Sequence, residues 1–504
     1  MPDRLEVSSI PDVSWWLGII DHGCQMPLTN GYTADVNGNN YGNQVQPLLL
    51  SDHGDAIWCA EPFKIQCGQG NLLVESSSGR IVRSKAGTTL RDACLFARKT
   101  WFPSSGKSPD ESLFSSPQYN TWIELMYNQN QVDILKYATA IREHGFPAGV
   151  LMIDDNWQED YGKWDFHKGR FSDPKGMVAD LHAKGFKVML WVCPFVSADC
   201  DVSRDLASQK LLLRDHSEAP AVVRWWNGAS ALLDFTNPKA VAWFRGRLDF
   251  LQSAYQVDGF KFDGGDSSFY AGLTSQNAAS PNAHSELYGR LGLHYPLNEF
   301  RAMWKMGGQA LAERLCDKSH SWSDLRKLIP NMILEGLMGY SFSCPDMIGG
   351  GEYRSFLSNA TIDQELIVRS AQCHALMPMM QFSVAPWRVL DQRHLSAVHK
   401  AVEIREQLKP YLLDLVKQSA ATGEPIVRSM EYVFPHQGYA RVDDQFLLGD
   451  RVLVAPVLEK ERVRREVLIP KGTWKGFDGK RYQGPCKTSV AISLDEVGYF
   501  ESVE

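Results

Sequence analysis

The chain has 504 residues, a net charge of −7, and 44% hydrophobic and 11% aromatic residues. That length exceeds one simple domain and supports sizeable cores. The acidic balance excludes nucleic-acid and anionic-membrane partners, which require a basic face, and no apolar run is long enough to span a bilayer.

The opening Met1-Pro2-Asp3-Arg4-Leu5-Glu6-Val7 lacks the apolar region of a signal peptide. This fits a cytoplasmic protein, or a secreted or periplasmic one whose leader has been removed. The ten Cys are scattered, with no Cys-x-x-Cys pair, so reduced, buried thiols are expected, and neither a metal nor any other cofactor. A homo-oligomer is left open.

Residues 1 to about 115 read as a β-sandwich. Short apolar runs such as Trp16-Leu17-Gly18-Ile19-Ile20 and Ile57-Trp58-Cys59 alternate with Asn/Gly/Ser-rich turns. From 116 to 421 strands and helices alternate. Tyr119 to Leu125 reads as a strand and Gln131 to His144 as a helix ended by Gly145. Ala148 to Ile153 is a continuous apolar run, as in a strand buried on both faces. It ends in Asp154-Asp155-Asn156-Trp157. A helix from Pro174, the strand Lys187 to Val192, the helix Pro238 to Tyr255 and the strand Gly259 to Asp263 follow. Asn298 to Glu313 and Trp322 to Met332 read as helices, Gly339 to Phe342 as a strand, and Ile362 to Leu376 as a helix. His394 to Ala421 reads as a helix interrupted or kinked at Pro410. From 422 to 504 the pattern is β again, with a hairpin over Phe446 to Val457 that turns at Gly449-Asp450, and a small C-terminal β-sandwich is expected.

A long βαβα alternation folds as a doubly wound sheet or as a (β/α)8 barrel. No Gly-x-Gly-x-x-Gly follows the first strand, which weakens the dinucleotide sheet. Polar residues crowd several strand ends: Asp154-Asp155-Asn156, Asp199, Lys261 with Asp263, and Asp346. In a TIM barrel these ends share one mouth, where active sites lie. Lys261 and Asp263, two apart on a strand, project to one face. An adjacent cation keeps a carboxylate ionised, so Asp263 is a candidate nucleophile. A retaining glycosidase needs a second, protonated carboxyl about 5 Å away. Asp199, Asp317 and Asp346 are candidates, and spacing alone does not choose among them.

The sequence resembles glycoside hydrolase family 31 over most of its length. The resemblance is carried by Leu232-Leu233-Asp234-Phe235-Thr236-Asn237-Pro238, by Lys261-Phe262-Asp263-Gly264-Gly265-Asp266 (with Asp266 where the family has Glu), by Cys316-Asp317-Lys318 followed by Trp322 and Leu325, by Gly336 to Gly350 with Asp346-Met347-Ile348-Gly349-Gly350, and by Leu447 to Val457. It implies a (β/α)8 barrel between two β-sandwiches and a retaining α-glycosidase acting on an oligosaccharide or glycoside. It also implies Asp263 as nucleophile and Asp317 as an acid/base held protonated. Lys261, Asp346 and Arg314 would contact the sugar. Asp154 and Asp155 would accept from its hydroxyls, and Trp157, Trp191 and Trp226 are candidate sugar platforms. The Asp-Asp-x-Trp strand end paired with Lys-x-Asp resembles the α-galactosidases of the same clan, and the family's myogenesis-regulating glycosidase branch also has galactose-directed relatives, so the resemblance implies an α-galactosidase. The family's Arg-x-His becomes Gln381-Phe382-Ser383, which disfavours starch or maltose. Alternatives are an α-glucosidase or α-xylosidase of the same family, or a non-catalytic sugar-binding relative.

Overall fold

The protein is described from a computed structural model over residues 3–8, 13–68, 70–357 and 362–503. Its centre is a parallel sheet of nine short strands among the described residues. In chain order they are β1 (Gln118–Asn120), β2 (Val150–Ile153), β3 (Lys187–Val192), β4 (Gly259–Phe262), β5 (Leu297–Phe300), β6 (Glu313–Arg314), β7 (Ser343–Cys344), β8 (Met347–Ile348) and β9 (Gln381–Phe382). Around the sheet the order is β7-β6-β5-β4-β3-β2-β1-β9-β8. The two ends, β7 and β8, are consecutive in the chain and separated only by Pro345-Asp346. They are one broken strand, so the sheet is an eight-fold barrel whose seventh stave is split. Asp346 sits at the break with φ +74°.

β2 to β4 are buried on both faces, as their unbroken apolar runs require. The helices that cover the barrel start on capping residues. Asn130, Asp173, Asn237, Ser280, Ser321, Asp363 and Asp391 each accept a backbone N–H of the first turn. Three of these helices also carry Pro at the first position, where a missing N–H is harmless.

Several segments depart from the sequence reading. Leu90–Trp101, within the stretch read as β, is a helix: Thr89 and Asp92 form a capping box, and Leu90, Ala93, Cys94 and Ala97 bury one face. The first barrel strand stops at Asn120, and Trp122–Leu125 is a helical turn. Asn298 to Glu313 is not helical. It contains β5, the strand Met303–Trp304 and the start of β6, with left-handed breaks at Lys305 and Gly308. Gly339, read as starting a strand, is the left-handed cap of the helix Trp322–Met338. The helix Gln392–Thr422 runs through Pro410 unbroken.

The N-terminal region packs two four-stranded antiparallel sheets around Trp15, Leu17, Leu49, Ile57, Phe63 and Leu72. Met303–Trp304, from the β5–β6 connection, pairs parallel to Gln44–Val45 and extends the second of these sheets. The C-terminal region is a six-stranded sheet over Leu447, Leu453, Ile469, Trp474 and Phe500. The cysteines are free, and Cys24 and Cys486 are exposed rather than buried. Among the described residues no helix is long and apolar enough to cross a membrane, and no three His, Cys, Asp or Glu side chains group as metal ligands.

Candidate active site

Asp263 lies one residue beyond β4, at the barrel's C-terminal mouth, and its N–H bonds Val192 O at 2.8 Å. Its Oδ1 accepts from Arg301 Nε at 2.9 Å and from Gly264 N at 2.8 Å. Its Oδ2 accepts from Trp191 Nε1 at 3.0 Å. Burial works to raise its pKa, but Arg301, Arg314 and Lys261 outweigh burial and hold the carboxyl far below the usual range. The chain then leaves the strand through Gly264 and Gly265, both left-handed. A Cβ on Gly264 would lie 2.9 Å from Pro194 Cδ, so Gly suits both the backbone and the space.

Lys261 does not pair with Asp263. Its Nζ donates to Asp154 Oδ2 at 2.7 Å, and both side chains are buried. Asn120 Nδ2 donates to the same oxygen at 2.7 Å. Removing one partner of such a pair leaves a buried charge, a loss of about 3–5 kcal/mol. Asp155, the next residue, accepts from Tyr161 and Asn227 through Oδ2. Burial, then the charge of Asp154, push its pKa up to about 7.

Asp317 follows β6. Arg314, from β6 itself, donates through Nη1 to Asp317 Oδ1 and to Asp346 Oδ1, both at 2.7 Å. The Asp317 side chain is 56% exposed and faces the cleft. The cap of the following helix is Ser321, so Asp317 does not spend its carboxylate as a helix cap. The loop Gly349-Gly350-Gly351 packs against it, and a Cβ at Gly351 would collide with Asp317 Oδ2. The family resemblance implies a protonated Asp317. Desolvation by the surrounding cleft walls pushes in that direction, but the Arg314 guanidinium outweighs it and holds the carboxyl below its ordinary value.

Asp263, Asp317, Asp154, Asp155, Lys261, Arg314, Trp191 and Trp226 line one cleft of about 650 Å³. Two expected sugar contacts do not. Trp157 is wholly buried, donates to Trp191 O at 2.8 Å and packs on Trp164 and Phe166. Four residues past the strand end, the chain has already turned down into the barrel wall. Asp346 is also fully buried; it accepts from Arg314 and from Lys318 N at 2.8 Å, and so braces the loop that carries Asp317. Burial pushes its pKa up to about 7, with Arg314 opposing and Asp317 adding to the rise. Asp199 is exposed on the surface beside Arg204, outside the cleft. Trp191 lines the cleft but its indole N–H clamps Asp263, whereas Trp226 is 49% exposed under the Arg301 guanidinium, 5.4 Å from the ring centre.

The residue overlooked in the sequence is Arg301. It joins Asp263 to Asp266, donating to the latter's Oδ2 at 2.6 Å, and also donates to Gly42 O at 2.6 Å. It follows β5 as Asp263 follows β4, so the crowding of polar residues at strand ends was the signal. Reading the segment as a helix hid it. Tyr127, Tyr161 and Asn227 lie in connections with no periodic pattern.

The profile of the Glycosyl hydrolases family 31 TIM-barrel domain matches residues 114–315 and 315–415, and that of the family's C-terminal domain matches residues 423–500. The chain is 35% identical to the myogenesis-regulating glycosidase of Mus musculus over 417 residues, 80% of this chain and 58% of that protein. It is 25% identical to alpha-xylosidase XylQ of Lactiplantibacillus pentosus over 491 residues, 87% of this chain and 60% of that one. The chain thus spans about three-fifths of the length of these curated relatives. A family 31 dextranase of Flavobacterium johnsoniae in complex with glucose superposes with a TM-score of 0.87 at 19% identity, over 99% of this chain and 66% of that one. A split-stave barrel with carboxylates at its mouth, matched by the family's barrel and C-terminal profiles over most of its length, makes this chain a member of glycosyl hydrolase family 31.

Proposed function

We propose that the chain is a retaining exo-α-glycosidase that removes terminal α-galactosyl groups by double displacement. The observation that carries this reading is the unequal provision for two carboxyls in one cleft. Asp263 is surrounded by Arg301, Arg314 and Lys261, while Asp317 faces the same space from the β6 side. In the first step Asp263 attacks the anomeric carbon and Asp317 protonates the departing oxygen. In the second, Asp317 takes a proton from water, which attacks the glycosyl ester and releases Asp263. Because Arg314 favours the ionised form of Asp317, the first step couples glycoside binding to proton uptake.

The galactoside preference is supported by Asp154 and Asp155, adjacent carboxyls at one strand tip that suit an axial O4 and the neighbouring O6. Gln381, in place of the Arg of Arg-x-His, is occupied by Glu299, to which it donates at 2.7 Å. A second reading, α-xyloside or α-glucoside, is favoured by relatives named as an alpha-xylosidase and as alpha-glucosidases. A panel of aryl α-galactosides, α-glucosides and α-xylosides separates the two. Turnover is expected chiefly on the galactoside, and preference for another sugar overturns that choice. Asp263→Asn is expected to abolish turnover on every member. Asp317→Ala should slow poor leaving groups by about 10²–10⁴-fold and activated aryl groups far less.

A further inference from the structure

Asp155 has lopsided surroundings. It is 3% exposed, and its Oδ2 accepts from the Asn227 amide and, at 3.2 Å, from the Tyr161 hydroxyl. Its Oδ1 is buried with no hydrogen-bond partner. The two donors are fixed by each other and by a third group. Asn227 Nδ2 also donates to Tyr161 Oη at 2.9 Å, and Asn227 Oδ1 accepts from Tyr127 Oη at 2.9 Å. Asn227 shares with Trp226 the two-residue turn of a hairpin, Val222–Trp225 and Gly228–Leu232, inserted between β3 and β4. Tyr161 comes from the β2–β3 connection. The groups facing Asp155 are therefore the amide of Asn227, the hydroxyls of Tyr161 and Tyr127, the buried thiol of Cys193, and the carboxylates of Asp154 and Asp263. The Lys261 ammonium is engaged by Asp154.

We propose that Asn227 and Tyr161 are positioning residues for sugar recognition: they anchor Oδ2 of Asp155 and so aim its other oxygen, as a protonated, donating carboxyl, beside the accepting carboxylate of Asp154. The geometry argues for this in two ways. A buried Oδ1 without a donor is costly on a charged carboxylate and tolerable on a neutral one. A second anion next to Asp154 and Asp263 is opposed by both. The result differs in kind from two carboxylates, which only accept. One acceptor and one donor on adjacent residues distinguish a hydroxyl that gives its proton from one that receives. Burial and the Asp154 charge raise Asp155 to about 7, while the Tyr161 and Asn227 hydrogen bonds pull the other way. The donor is thus present below about pH 7 and lost above it. The inference rests on the cleft being a sugar site; it requires neither galactose nor turnover.

The test is calorimetric titration of the intact protein with galactose, glucose and xylose from pH 5 to 9. Affinity for the bound sugar should be flat at low pH and weaken above about pH 7, by up to tenfold per pH unit for one linked proton. Asn227→Ala and Tyr161→Phe each remove a hydrogen bond that favours the ionised form. Both should weaken binding at pH 6 and move the break to higher pH. A merely structural role would lower affinity without moving it. Asp155→Asn should abolish the break. A break that stays in place in both positioning variants, or that survives Asp155→Asn, overturns the proposal. If glucose or xylose binds and galactose does not, the galactoside reading fails and the titration with the bound sugar decides this one. Binding of none of the three overturns both.

Discussion

Asp346 and Asp263 belong to one charged network yet lean in opposite directions. Asp346 is enclosed, and the Arg314 it accepts from is shared with Asp317. Asp263 has three cations acting on it. With their pKa values raised to about 7, Asp346 and Asp155 retain protons that an unfolded chain has released by about pH 4. Between about pH 4 and about 7 the folded state binds more protons, so these two groups make stability fall as pH rises through that window. Asp263, with a lowered pKa, contributes stability above about pH 4 that is lost as pH falls below it. Asp346→Asn is expected to flatten the decline of Tm from pH 4 to pH 7 in thermal scans. An unchanged slope would mean that Asp346 is charged in the folded protein at neutral pH. At this scale, Lys261 and Asp263 were legible because their i, i+2 spacing needs no tertiary knowledge to put them on one face. The partner of Lys261 was not legible, since Asp154 comes from another strand and spacing within one strand is silent about its neighbours. Trp157 was misjudged for a related reason: past a strand end, the sequence does not say which way the chain turns.

Strand ends do the positioning in this barrel, and each end is short of room. β4 ends at a carboxylate, then turns through Gly264 in a left-handed conformation against Pro194 and Phe195. Gly264→Ala would add backbone strain of about 1–2 kcal/mol and crowding of about 1–3 kcal/mol. The crowding falls on the residue next to Asp263. Turnover is therefore expected to drop more than the lowered Tm explains, with kcat affected more than KM. A variant with normal kcat would show that the turn gives way without moving the carboxylate. Helices with clear caps, such as Pro174–Ala183 and Pro238–Tyr255, were readable from sequence because cap and periodicity agree there. Asn298 to Glu313 was not. Its strands are only two to four residues long, too short to show an alternation, and they are held by neighbours distant in the chain.

Across the whole molecule, the N-terminal sandwich reaches the arginines that line the cleft. Asn43 is fully buried and its Nδ2 donates to the carbonyls of Arg301 at 3.0 Å and Arg314 at 3.2 Å. Gln44 Nε2 adds a bond to Arg314 O at 3.0 Å. Asn43→Ala leaves buried carbonyls short of a donor, at a cost of about 1–3 kcal/mol. Since the two arginines flank Asp263 and Asp317, kcat should fall while KM changes little, read by steady-state kinetics on whichever glycoside is turned over. A change confined to Tm would show that the sandwich supports the barrel without tuning it. The alternation of elements narrows the fold to a doubly wound sheet or a barrel and the family resemblance selects the barrel, but this junction was not legible, because Met303–Trp304 pairs with a strand some 260 residues earlier. That edge strand begins two residues after Arg301. The guanidinium that keeps Asp263 charged is therefore tethered at one end to the barrel and at the other to the sandwich. If the proposed glycosidase reading holds, a shift in the sandwich would reach the sugar as an altered charge balance rather than an altered shape, so that insertions remote from the substrate would set the rate of bond cleavage while leaving the choice of sugar intact.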